Sequence, residues 1–117
     1  KWRTVVGDAE ALPFADNAFD TVVDTFGLCS MDSPVSALRE MRRVCKPDGK
    51  ILLLEHGRGT WDIVNYLLDR NAQKHADKFG CWYNRDIPAL IAASGLRVVS
   101  RTRWHFGTTL VYECARN

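Results

Sequence analysis

The chain has 117 residues, 46% hydrophobic and 26% charged, with a formal net charge of +2. That length holds one domain at most, and the composition is ordinary for a globular protein. The basic residues are spread along the chain and leave no nucleic-acid footprint, and no run approaches the ~18 apolar residues of a membrane span.

Residues 1–6 read as a short apolar strand, with Thr4, Val5 and Val6 running into Gly7-Asp8-Ala9-Glu10. A loop with Pro13, Asp16 and Asn17 follows. Residues 19–26 are β-branched and aromatic, which predicts a second strand. Apart from Asp20 and Asp24 this run is apolar on both faces, the pattern of a parallel strand covered on both sides. Ligands of open α/β sheets bind at the carboxyl ends of strands, so Asp8 is a candidate anchor. Met31-Asp32-Ser33-Pro34 signals a helix start, with Asp32 or Ser33 as the cap. Val35, Leu38, Met41, Val44 and Cys45 then share a face. Arg39, Arg42 and Arg43 read as a solvated outer face rather than an anion site. Lys46-Pro47-Asp48-Gly49 makes a turn, and residues 51–55 read as a buried strand. Strand, helix and strand together make a βαβ unit with a parallel pair.

After a loop with two glycines, Thr60 is placed to cap a helix carrying Val64, Leu67, Leu68, Ala72, Ala76 and Phe79, stopped by Gly80. Residues 81–85 are a loop of large side chains. Asp86 caps a short helix with Ile87, Leu90 and Ile91, ended by Gly95. Residues 96–103 and 108–115, joined by Trp104-His105-Phe106-Gly107, predict an antiparallel pair. Cys29, Cys45, Cys81 and Cys114 include no C-x-x-C pair. They read as reduced, buried thiols of an intracellular compartment, Cys45 on a helix and Cys114 in a strand, and no metal ligand is assigned. The start Lys1-Trp2-Arg3, with no Met and no targeting pattern, reads as part of a longer protein.

GDAEALPFADNAFD at 7–20, VVDTFGL at 22–28, ALREMRRVCKPDGKILLLEHG at 37–57 and GCWYNRDIPALIAASGLRVV at 80–99 occur in that order. With the terminal hairpin they resemble the class I S-adenosylmethionine-dependent methyltransferases over nearly the whole chain. The resemblance looks closest to the ubiquinone/menaquinone C-methyltransferases and to related mitochondrial and small-molecule methyltransferase-like proteins. It implies an α/β, Rossmann-like sheet of parallel strands with helices on both faces and a C-terminal antiparallel hairpin. The strands here would be the family's third to seventh, so residues 1–117 would be the C-terminal part of a single domain. The family's Gly-rich loop after the first strand and the acidic end of its second have no counterpart here. Gly57-x-Gly59 follows the fifth strand instead. The expectation is an isolated chain that binds cofactor poorly, is inactive alone, and self-associates through an unpaired sheet edge.

By the family pattern, S-adenosylmethionine would meet Asp8 through the adenine amino group and Ala9 through its backbone N–H. A carboxylate suits an exocyclic amine; a turn Asp bonding its own backbone is the alternative. Thr25, Phe26 and Leu28 would form the wall at the fourth strand's end, although Phe26 and Leu28 equally suit a core. His56, beside Glu55 at the fifth strand's mouth, is the candidate catalytic base, its ordinary pKa lying near neutrality; a loop histidine bonded to backbone is the alternative. His75 reads as surface or packed, and His105 in the hairpin turn as a second candidate. Trp82, Tyr83 and Arg85 are candidates for the acceptor pocket. Alternatively, Trp82 staples helix to sheet and Arg85 pairs with Asp86 or a neighbouring acid. The implied function is methyl transfer to a small, apolar acceptor such as a quinone ring or hydrophobic thiol. The alternative is a methyltransferase-fold binding or assembly protein without catalysis. Neither nucleic acid nor metal is expected, and the compartment stays cytoplasmic or mitochondrial.

Overall fold

The computed structural model describes residues 2–59, 61–104 and 108–116. β1 (Phe19–Thr25) runs parallel to β2 (Cys45–His56), with α1 (Pro34–Val44) as the crossover. α2 (Asp62–Phe79) and α3 (Ile87–Ser94) lead to β3 (Arg97–Trp104) and β4 (Thr109–Ala115). The sheet order is β1-β2-β4-β3, with β4 antiparallel to both its neighbours. The expected βαβ unit and closing antiparallel pair are both present.

Local chemistry sets the element ends. Pro34 opens α1, where its missing N–H would have had no helical partner. Ser33 occupies the cap position, but its hydroxyl bonds Ser36 Oγ at 2.7 Å rather than a backbone N–H. Asp86 caps α3 as expected, accepting from the Ala89 N–H at 3.1 Å. Gly80 and Gly95 end α2 and α3 at φ 68° and 83°, a left-handed geometry that favours glycine.

Alternation along β2 decides where the core sits. Ile51, Leu53 and Glu55 are buried, while Leu52 is 37% exposed on the other face. Leu38 and Met41 of α1, Ile87 and Ile91 of α3, and Leu110, Tyr112 and Cys114 of β4 complete one core. α1 and α3 therefore cover one face. The sequence suggests helices on both, but Val23, Leu52 and Val111 meet solvent on the opposite face.

Other expectations change too. Residues 2–7 form no strand, and the local pairing is limited to an Asp8–Ala11 bridge. A strand's backbone groups need partners, and no strand lies beside this run among the described residues, so Trp2 and Val6 stand exposed. β1 is a sheet edge rather than a strand covered on both sides, and its Val23 is 62% exposed. Cys45 opens β2 instead of sitting on the helix. The turn at 46–49 lies inside β2's span but outside the ladder, because Phe19 pairs with Cys45 and Thr21 with Lys50. α2 buries Ala72, while Leu67 and Phe79 of its expected apolar face are exposed. Its expected cap Thr60, and His105, Phe106 and Gly107 of the hairpin, lie outside the described residues. Among the described residues, no helix is long and apolar enough to cross a membrane.

Candidate functional site

β1 and β2 end side by side, and the chain leaving β1 turns over a buried carboxyl. Glu55 is fully buried; its Oε2 accepts from the Leu28 N–H at 3.3 Å. Its Oε1 and the neighbouring Asp24 Oδ2 are buried with no hydrogen-bond partner among the described residues. Burial, and then the Asp24 carboxyl, push Glu55 up to about 10, which makes it a neutral acid at physiological pH. Any side chain at Gly27 would collide with the Asp24 carboxylate. Phe26 takes φ 53°, a region that bulky residues rarely enter, and its N–H is held by the Leu54 carbonyl at 2.7 Å. This kink leaves the Phe26 ring 44% exposed, with its centroid 5.2 Å from that of the His56 imidazole. Leu28, two residues on, is wholly buried in the core, and Thr25 is exposed. The choice between wall and core therefore divides: Leu28 is core, and Phe26 faces the mouth.

The 81–85 loop docks on this turn through backbone groups. The Trp82 N–H donates to the Cys29 carbonyl at 2.7 Å, and the Arg85 carbonyl accepts from the Arg58 N–H at 2.8 Å. The Arg85 guanidinium donates to the carbonyls of Leu28 and Met31, so it holds backbone rather than pairing with Asp86. Tyr83 stacks on His75 with 4.5 Å between ring centroids, and His75 Nδ1 lies 3.2 Å from the Cys81 carbonyl. His75 is thus packed. Asn84 and Arg58 both donate to Asp69, tying the loop to α2.

Three side chains from separate segments converge beneath this loop. His56 Nε2 lies 3.2 Å from Cys81 Sγ. With Cys29 Sγ they form a cluster whose ligand atoms all lie within 4.8 Å of one another. Burial, then His75, lowers the His56 pKa. Burial, then the neighbouring Cys29, pushes Cys81 up to about 12. Burial thus disfavours the charged forms of both His56 and Cys81. The sequence assigns no metal ligand here, because nothing in the linear spacing announces that these three residues meet.

The acidic turn is built differently. Asp8 is exposed, and its Oδ1 accepts from the Glu10 N–H at 2.8 Å, the self-bonded turn offered as the alternative. Side chains pin the following loop to α1. Glu10 Oε2 accepts from the Ser33 N–H at 3.2 Å, and Glu40 Oε1 from the Leu12 N–H at 2.8 Å. Arg43 donates to the carbonyls of Leu12 and Phe14 and pairs with Glu40 and Asp16, both at 2.7 Å. Arg43 is thus a clamp rather than part of a solvated face, and Arg42 Nε reaches the Arg116 carbonyl at 3.0 Å. Arg39 stays exposed. The Glu10 contact ties the acidic turn to Ser33, the residue before α1.

A methyltransferase-domain family model matches residues 1–53. Over 91 residues the chain is 45% identical to the mitochondrial methyltransferase OMS1 of Saccharomyces cerevisiae, covering 78% of this chain and 19% of that protein. The chain is therefore similar to methyltransferases along most of its length. The chain is also 40% identical over 82 residues to the ubiquinone/menaquinone biosynthesis C-methyltransferase UbiE of Shewanella sediminis, covering 70% of itself and 33% of that protein. It therefore spans between about a fifth and a third of the length of these relatives. Its fold matches an S-adenosylmethionine-dependent methyltransferase from Thermotoga maritima with a TM-score of 0.70 at 21% identity, over 95% of this chain and 62% of that one. That likeness shows the shared Rossmann-like fold.

Proposed function

We propose that this chain supplies the adenine-side and acceptor-side parts of an S-adenosylmethionine-dependent methyltransferase acting on a small, apolar acceptor. The observation that supports the reading is the kink that leaves Phe26 exposed beside His56 at the ends of β1 and β2, with Glu10 tying the acidic turn to Ser33 at the start of α1. The residues suit the group. Asp8 offers an exposed carboxylate to an exocyclic amine, Ala9 offers its backbone, and Thr25 and Phe26 offer a half-open wall. Bound S-adenosylmethionine supplies an activated methyl on a sulfonium.

The chain's own part is orientation. Arg85 holds the turn beneath Phe26, and Trp82 and Tyr83, both half-buried, give an apolar acceptor aromatic surface. Alignment of reacting groups removes several kcal/mol of barrier without acid–base help. An acceptor that must lose a proton reaches His56 as a base only after the His56–Cys81 contact opens. The location of the yeast relative supports a mitochondrial setting.

Calorimetric titration of the full-length protein with S-adenosylmethionine tests the reading. One site is expected. Asp8→Ala should weaken binding by about 10- to 100-fold, the loss of a hydrogen bond to a charged group. No binding by the unsubstituted protein would sink the enzyme reading, and unchanged affinity in the variant would sink the adenine role.

A further inference from the structure

We propose that Cys29, His56 and Cys81 form a binding site for one zinc ion. The three ligands come from the short 3₁₀ turn Leu28–Ser30, the end of β2 and the loop after α2. Their donor atoms already lie within 4.8 Å of one another, with the His56–Cys81 pair at 3.2 Å. Zinc bonds thiolate sulfur at ~2.3 Å and imidazole nitrogen at ~2.0 Å, so tetrahedral coordination sets ligand–ligand distances of about 3.5–3.8 Å. The cluster reaches that geometry by contracting at most about 1.3 Å along its longest side and opening the His56–Cys81 pair by about 0.3 Å.

The scaffold holds the ligands without the ion. The Trp82 N–H bond to the Cys29 carbonyl locks the two cysteine segments together. His56 is paired with Thr109 in the β2–β4 ladder, and Gly57 N–H reaches the Thr108 carbonyl at 2.9 Å. Gly57 also lets β2's end approach the loop so closely that a side chain there would collide with the Arg85 carbonyl. Cys29 and Cys81 are buried and His56 is half-buried, so a bound ion would be shielded from competing water.

The chemistry balances. Two S–H bonds give way to two Zn–S bonds, two protons leave, and the Nε2 lone pair fills the third position, so His56 acts as a base only in the ion-free protein. Two thiolates cancel the ion's charge, so the loaded site carries no net charge into its buried setting. Two thiolates and one imidazole suit zinc rather than magnesium or calcium, which take oxygen ligands. Three protein ligands leave the fourth position open, the arrangement of reactive rather than purely structural zinc sites. A Cys29–Cys81 disulfide is the competing fate of the same sulfurs, but it gives His56 no role.

Cobalt(II) is the probe. Added to the reduced full-length protein, it should bind one per chain, give a sulfur-to-cobalt charge-transfer band, and be displaced by zinc. Cys29→Ser and Cys81→Ser should each weaken cobalt binding by more than the ~10- to 100-fold typical of outer-shell losses. Cys45→Ser and Cys114→Ser should leave it unchanged. Native mass spectrometry of the unsubstituted protein needs no variant to fold, and should show one zinc bound with two protons lost. A missing charge-transfer band, or full binding retained by Cys81→Ser, would overturn the site. So would peptide mapping that joins Cys29 to Cys81 in a protein unable to take cobalt after reduction. No methyl donor enters these measurements, so their failure is separate from failure of the methyl-transfer reading.

Discussion

The acidic turn around Asp8 and the strand ends around Glu55 are held by different physics. The turn is exposed, and its anchors are side chains of one helix, Glu40 and Arg43, reaching loop backbone. The strand ends are buried at Glu55 and Leu28, and their anchors come from β2, the 3₁₀ turn and the 81–85 loop together. The turn can loosen while the fold survives. The strand ends cannot, because Leu28 and Glu55 belong to the core. Substitutions at the turn therefore report on binding, whereas substitutions at the strand ends report on folding first.

The sharpest way to break this contrast is Leu28→Ala. A fully buried leucine should cost about 3 kcal/mol, read from the urea midpoint. A loss near zero would mean that Leu28 lines a cofactor wall after all. Arg85→Ala comes next. It leaves the Leu28 and Met31 carbonyls without their donor and should cost about 2 kcal/mol. Wild-type stability in that variant would show that the 81–85 loop docks without it.

Arg43→Ala probes the other side. Limited proteolysis should nick residues 8–17 faster, while the global unfolding midpoint hardly moves. A large midpoint shift would show that the turn is as integral as the strand ends. The smallest effect is acid lability of the same clamp. The Arg43 hydrogen bond holds Glu40 below the ordinary 4.5. The unfolded chain then binds more protons than the native one, so this contribution is present above about pH 4.5 and is lost as pH falls through the depressed value. Glu40→Gln should flatten that part of the stability–pH curve, and an unchanged slope would remove Glu40 from the account.

What was legible in the sequence was local. The Asp86 cap, the Gly80 and Gly95 stops and the β1–α1–β2 crossover each follow from neighbouring residues. The run at 51–55 reads as buried throughout, yet Leu52 is 37% exposed, because an apolar residue does not reveal whether anything covers its face. Val5 and Val6 have strand propensity but no neighbouring strand among the described residues. In the candidate site, Asp8 and His56 stood out through their motifs. Cys29 and Cys81 did not, because backbone bonds between distant segments bring them together. Arg43 was misread for the same reason, since its partners lie in a loop far upstream.

On the proposed reading, the Asp8 turn and the β1–β2 ends form one cofactor-binding edge. Amide chemical shifts of the labelled full-length protein, followed on adding S-adenosylhomocysteine, test it residue by residue. Asp8, Ala9, Thr25 and Phe26 should move together with one saturation curve, while the β3 amides stay in place. Shifts confined to the strand ends, with Asp8 and Ala9 unmoved at saturation, would contradict it.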